Sequence, residues 1–215
     1  MKYKNIIWDL DGTLLDTLED LADATNYALR TNGMKERTLD EVRQFVGNGV
    51  RNLIIRAVPD GEDNALFEKV FTTFKEYYII HCQDKTTLYP GIKETLECLK
   101  QRGLKMAIVS NKLQKGVSEL YEIWFKETID IAVGERENIR RKPERDMVDI
   151  AMRELEAKAE DTVYIGDSDV DIATARNAGL DCISVLWGFR DYDFLIAHGA
   201  TLFAKAPADI VDLLT

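Results

Sequence analysis

A short apolar run, Asn5-Ile6-Ile7-Trp8, stops abruptly at Asp9-Leu10-Asp11-Gly12-Thr13. Such a run, bounded by turn formers, reads as a buried strand. Past Thr17, the residues Leu18, Leu21, Ala22, Ala24, Ala28 and Leu29 recur at three- and four-residue steps between acidic positions. That spacing predicts an amphipathic helix ending near Asn32-Gly33. Helical texture continues over 39–45, 50–57 and 65–80 with no strand signal between. From Tyr89-Pro90-Gly91 the rhythm changes. Helices are predicted over 92–102, 115–124, 144–155, 170–178 and 208–214, alternating with strands over 105–109, 129–133, 162–165, 182–186 and 201–204. Strands alternating with helices mean a parallel sheet covered on both faces. The expected architecture is therefore α/β: a doubly wound parallel sheet built from 1–16 and 83–215, interrupted by an inserted all-helical domain over 17–82.

Composition narrows the class. The 215 residues, 46% hydrophobic and 31% charged, suit one mid-sized domain carrying an insert. No apolar stretch approaches the roughly 20 residues that a membrane helix needs. The chain enters its first strand without a leader pattern, so the cytoplasm is the expected compartment. Cys82, Cys98 and Cys182 are odd in number and far apart, which argues against a disulfide framework or a zinc cluster. His81 and His198 lack any local partner pattern. The net charge of −10 opposes a nucleic-acid partner. It also means that a small anion must be captured by short-range groups, since the field of the whole chain repels it.

Candidate groups of that kind are present. Residues two apart in an extended chain point the same way, so Asp9 and Asp11 are expected to converge beyond the end of the first strand. A hard divalent ion such as Mg²⁺ answers that repulsion and leaves room for phosphate oxygens. In an open parallel sheet, ligands bind beyond the carboxyl ends of the strands. Three strands here end in polar residues: at Asp9 to Asp11, at Ser110-Asn111, and at Asp167-Ser168. Lys142, in Arg140-Arg141-Lys142-Pro143, supplies a cation before a helix, with Pro143 suited to the first helical position.

These stretches, in order, resemble the four motifs of the haloacid dehalogenase superfamily: Asp9-x-Asp11-Gly12-Thr13, the strand ending in Ser110-Asn111, Lys142-Pro143, and Gly166-Asp167-Ser168-x-x-Asp171. The helical insert resembles the cap of the phosphoglycolate phosphatase and beta-phosphoglucomutase group. The resemblance implies a Mg²⁺-dependent phosphatase with Asp9 as nucleophile and Asp11 as general acid and base. It implies metal ligation by Asp9, Asp167 and the Asp11 carbonyl, supported by Asp171. Ser110 and Lys142 would hold the phosphoryl group, with Asn111, Gly12 and Thr13 in the phosphate-binding set. In the insert, Phe45-Val46-Gly47-Asn48-Gly49-Val50-Arg51 resembles a substrate loop, where Gly47 permits close approach and Arg51 meets an anion.

Mutase relatives carry a histidine soon after the first motif, where this chain has Asp20 and Asp23. The resemblance therefore favours hydrolysis of a small phosphorylated metabolite, with phosphoglycolate leading. Nucleoside monophosphates, sugar phosphates and pyrophosphate stay open, and beta-phosphoglucomutase activity is the alternative. A binding protein that kept the fold is disfavoured by the intact Asp9, Asp11, Lys142 and Asp167. A monomer or homodimer is expected. Trp187-Gly188-Phe189-Arg190 reads as packing.

Overall fold

The structure is a computed structural model that describes residues 2–47 and 49–214. Along the chain run β1 (Asn5–Trp8), β2 (Leu15–Asp16), α1 (Leu18–Thr31), α2 (Leu39–Phe45), α3 (Val50–Ala57), α4 (Phe67–His81) and β3 (Thr87–Leu88). Then follow α5 (Ile92–Gln101), β4 (Lys105–Leu113), α6 (Gln114–Trp124), β5 (Ile131–Glu135), α7 (Asp146–Leu155) and β6 (Thr162–Gly166). The last elements are α8 (Asp169–Ala178), β7 (Asp181–Val185), α9 (Tyr192–Ala197), β8 (Phe203–Ala204) and α10 (Pro207–Leu213).

Two compact units emerge: Met1–Leu14 with Leu88–Thr215, and Leu15–Thr87. The first holds a six-stranded sheet in the order β5-β4-β1-β6-β7-β8, with every neighbouring pair parallel. The α/β expectation is met. β1 lies between β4 and β6, with Ile6 opposite both Met106 and Val163. Its Ile6, Ile7 and Trp8 are fully buried, as a strand covered on both faces requires. On one face Ile7, Ala107, Val109, Val133 and Tyr164 pack against Met147, Val148, Ala151 and Leu155 of α7 and Ala175 and Ala178 of α8. Each valine, leucine, isoleucine or methionine side chain among these, once buried, contributes about 1.5–3 kcal/mol.

β4 runs on past the expected Val109. Val109 pairs with Val133 and Leu113 with Glu135, so four steps along β4 match two along β5. The extra residues form a bulge that releases Ser110, Asn111 and Lys112 from the ladder. Gly134 makes this possible. A Cβ there would lie 2.7 Å from Gln114 Cα and 2.8 Å from the Lys112 carbonyl.

The second unit contains α1 to α4. Thr38 caps α2 through a reciprocal box, with Glu41 N–H donating to Thr38 Oγ1 at 3.2 Å and Thr38 N–H to Glu41 Oε2 at 2.7 Å. Tyr27 of α1 stacks on Tyr77 of α4 with centroids 4.1 Å apart. Buried Asp20 accepts from the N–H groups of Lys85 and Thr86 and from Thr86 Oγ1 at 2.7 Å, tying the return segment to the first turn of α1. The chain enters and leaves through β2 and β3, which pair in a two-stranded sheet. Their two-residue length is below what hydrophobic periodicity detects.

Pro143 is not at a helix start. It sits in a turn closed by Glu144 N–H to the Arg141 carbonyl at 3.0 Å, and α7 begins at Asp146. The Asp146 carboxylate bonds back to the Arg140 backbone and guanidinium, which sets the acidic first turn of α7 later than Pro143. No helix among the described residues is long and apolar enough to cross a membrane.

Candidate active site

Asp9 follows β1 in line, its N–H donating to the Ile165 carbonyl at 2.8 Å. The chain then turns, with Leu14 N–H returning to the Leu10 carbonyl at 3.0 Å. That turn overrides the two-residue alternation expected of an extended chain. Asp11 consequently aims elsewhere: its carboxylate lies 3.3 Å from Lys112 Nζ and 3.5 Å from Ser110 Oγ. The carboxylates that gather are Asp9, Asp167 and Asp171, whose ligand oxygens lie within 4.8 Å of one another, all buried.

Lys142 reaches into this group. Its ammonium donates to Asp9 Oδ1 at 2.5 Å, to Asp171 Oδ1 at 2.8 Å and to the Tyr164 hydroxyl at 3.0 Å. Asp171 is fixed from its other oxygen by the Ser168 N–H and hydroxyl at the start of α8. Asp167 Oδ2 accepts from the Phe189 N–H at 2.6 Å. Gly12, at φ +92°, allows the close approach: a Cβ there would fall 2.5 Å from Asp167 Oδ2. Thr13 is buried beside it, its carbonyl accepting from Trp187 Nε1 at 2.9 Å.

One ammonium does not balance three buried carboxylates. Burial and the charge of Asp171 push the Asp9 carboxyl well above the ordinary carboxylate range, against the pull of Lys142. Burial and Asp171 likewise push Asp167 up to about 7, although the Phe189 N–H works the other way. Burial opposes the charge on Lys142, but Asp171 and Asp9 outweigh it and hold the ammonium well above the usual lysine value. The donor set is all hard oxygen with surplus negative charge. It fits a divalent cation of the Mg²⁺ kind.

Residues 6–185 match the family model of the haloacid dehalogenase-like hydrolases. The chain belongs to that family. It is 32% identical over 215 residues to the phosphoglycolate phosphatase of Pseudomonas syringae pv. syringae, covering 97% of this chain and 76% of the relative. To the phosphoglycolate phosphatase of Aquifex aeolicus it is 31% identical over 210 residues, covering 97% and 95%. A crystal structure from Lactobacillus delbrueckii subsp. bulgaricus, provisionally assigned as a phosphoglycolate phosphatase, superposes with a TM-score of 0.96 at 38% identity, covering 100% of this chain and 99% of that one. This haloacid dehalogenase-like hydrolase is a phosphatase, a phosphoric monoester hydrolase.

Within this hydrolase, three groups stand at the centre to which the sequence pattern assigns no site role. Lys112 pairs with Asp11, and its N–H donates to Ser110 Oγ at 3.1 Å. Its place directly after Ser110-Asn111 was the available signal. Tyr164 carries its hydroxyl to Asp171 at 3.1 Å from inside a buried strand, where nothing in an apolar pattern marks a phenol as polar. The loop 187–189 reads as packing but holds Asp167 and Thr13. Its position after the carboxyl end of a strand was the clue. Asn111 joins the centre indirectly, its amide bonded to the backbone of Lys142.

Arg51 lies in the helical unit of the hydrolase, its guanidinium 2.8 Å from Glu62 Oε1 and 2.6 Å from Glu68 Oε1, with the rings of Phe67 and Phe71 beneath it. Arg56 Nη1 donates to the carbonyls of Phe45 and Gly47 at 2.6 and 3.1 Å. Asn48 of the same loop lies outside the described residues.

Proposed function

We propose that this chain is a Mg²⁺-dependent cytoplasmic phosphatase that hydrolyses a small phosphomonoester through an aspartyl phosphate, with phosphoglycolate as leading substrate. The observation that carries the reading is the meeting of Asp9, Asp167, Asp171 and Lys142 in one buried cluster. The substrate follows the phosphoglycolate phosphatases that this chain resembles along nearly its whole length.

Asp9 and Asp167, with the Asp11 carbonyl, would hold Mg²⁺, and Asp171 would support them. Bound there, the ion supplies positive charge against the transferring phosphoryl group. An Asp9 carboxylate oxygen bonds to phosphorus as the ester P–O bond breaks, splitting one hard displacement into two easier ones. Asp11 gives its proton to the leaving alkoxide. In the second half Asp11 takes a proton from water and the hydroxyl oxygen bonds to phosphorus as the bond from phosphorus to the Asp9 oxygen breaks, which frees inorganic phosphate and restores the Asp9 carboxylate. Lys142, Ser110 and the backbone N–H groups of the loop that follows Asp9, through Gly12, steady the phosphoryl oxygens throughout.

Gly47 and Arg51 are assigned to substrate selection by the helical unit, which acts as the cap. To meet a substrate anion, Arg51 must exchange its contact with Glu62 or Glu68. Arg51→Ala should lower the rate on phosphoglycolate relative to that on an aryl phosphate.

The test is phosphate release from phosphoglycolate, nucleoside monophosphates, sugar phosphates, pyrophosphate and a plain aryl phosphate, with Mg²⁺ and with EDTA. Metal-dependent release led by phosphoglycolate is expected. Release led by another ester would move the substrate assignment, and release from none would overturn the reading.

A further inference from the structure

Asn111 stands where a phosphate contact is expected, yet its amide is turned onto the backbone of Lys142. The Lys142 N–H donates to Asn111 Oδ1 at 2.8 Å, and Asn111 Nδ2 donates to the Lys142 carbonyl at 3.1 Å. An amide paired with both groups of one residue does what a neighbouring strand does, fixing place and direction together. Lys142 needs such a partner because it lies in a turn, outside any strand or helix. Asn111 is available because the β4 bulge has taken it out of the ladder with β5. The far end of the same lysine is also tied, its ammonium donating to Tyr164, whose hydroxyl donates in turn to Asp171.

A lysine has four flexible methylenes between backbone and charge. Its ammonium meets Asp9 and Asp171 at 2.5 and 2.8 Å, which leaves little slack. A shift of its backbone by about 1 Å is the kind of misplacement that costs about 100-fold in rate.

We propose that Asn111 is a positioning residue that acts through Lys142, setting where the ammonium meets Asp9 and Asp171, and is not a ligand of the phosphoryl group. The inference rests on the function proposed above, in which Lys142 and Asp9 take part in the reaction.

A double-mutant cycle tests it, using aryl phosphate and Mg²⁺ with the parent, Asn111→Ala, Lys142→Met and the double variant. Asn111→Ala should lower kcat about 100-fold. KM, and inhibition by inorganic phosphate, should stay within about threefold of the parent, as for a group that does not touch substrate. The double variant should be within about threefold of Lys142→Met alone, because coupled residues do not add. Multiplying effects, or a raised KM with kcat intact, would overturn the proposal.

Asn111→Asp keeps the volume and the acceptor but loses the donor to the Lys142 carbonyl, so an intermediate kcat is expected; a parental rate would refute the two-point clamp. Amide exchange gives a readout in metal-free protein. The Lys142 N–H should be protected in the parent and exchange at least about tenfold faster in Asn111→Ala, with β1 amides unchanged. An unprotected Lys142 N–H in the parent would sink the clamp. If the parent released no phosphate, the functional reading would fall, and the exchange rates would still decide the clamp.

Discussion

The ammonium of Lys142 and the carboxylate of Asp9 meet at 2.5 Å with both groups buried, joining residues 133 positions apart in the chain. The pair is not self-sufficient. Burial and Asp171 push the Asp9 carboxyl upward even with Lys142 against it. Without a metal ion the centre therefore favours protons on its carboxylates, and stability and activity make opposing demands on Asp9.

Asp9→Asn separates those demands. With Asp9 as the proposed nucleophile, the amide should reduce phosphate release by about 10³-fold or more. Because the ionised form of Asp9 is disfavoured where it sits, the amide should raise the urea midpoint of the EDTA-treated protein. A variant that kept parental turnover would remove Asp9 from the nucleophile's role.

Asp167 sets a pH dependence whose sign can be worked out. Its folded-state value, raised from 3.8 to about 7, means that the native chain holds more protons than the unfolded chain between those limits. Stability from this group is present below the ordinary carboxylate range and is lost as pH rises through about 7. Urea titrations with EDTA should show it falling across that window. Added Mg²⁺ should flatten the fall, and its binding should weaken below about pH 7 as protons compete for the carboxylate. A midpoint with EDTA that rose from pH 5 to pH 7 would contradict this account.

Asp20→Ala addresses the helical unit. The carboxylate accepts from two backbone N–H groups and from Thr86 Oγ1, and its loss strands buried donors. The expected cost is about 3 kcal/mol, read from chemical denaturation. Thr86→Val removes one of those donors and should cost about 1 kcal/mol.

Gly134→Ala tests the bulge. The added methyl meets the Lys112 carbonyl and Gln114 Cα, both backbone, so β4 must shift. A loss of about 1–3 kcal/mol is expected, as for overpacking elsewhere. Turnover should fall as well, because Ser110 and Asn111 lie on the displaced segment. Retained turnover with lowered stability would show that the bulge serves the fold alone.

The sheet and its helices were legible because their periodicities were long and clean. α2 and α3 agree with prediction at both ends, and β1, β6 and α8 within a residue or so. β2 and β3 are too short to carry a period, and α9 spans only six residues, under two turns of helix. At the site, strand ends located Asp9, Ser110, Asn111 and Asp167, since topology alone brings the carboxyl ends together. Direction was harder. The turn at Leu10 to Leu14 sends Asp11 to Lys112, and only three-dimensional packing could reveal Tyr164 as a partner of Lys142 and Asp171.

β1 stands in the middle of the sheet, yet both of its neighbours are made later, β4 about a hundred residues on and β6 about sixty beyond that. During synthesis the Ile6-Ile7-Trp8 segment must wait, greasy on two sides, for flanks not yet emerged from the ribosome. A nascent chain halted before Thr162 would possess Asp9 but lack Asp167 and Asp171, so it could not assemble the carboxylate cluster. Activity then becomes a report that translation has passed the sixth strand.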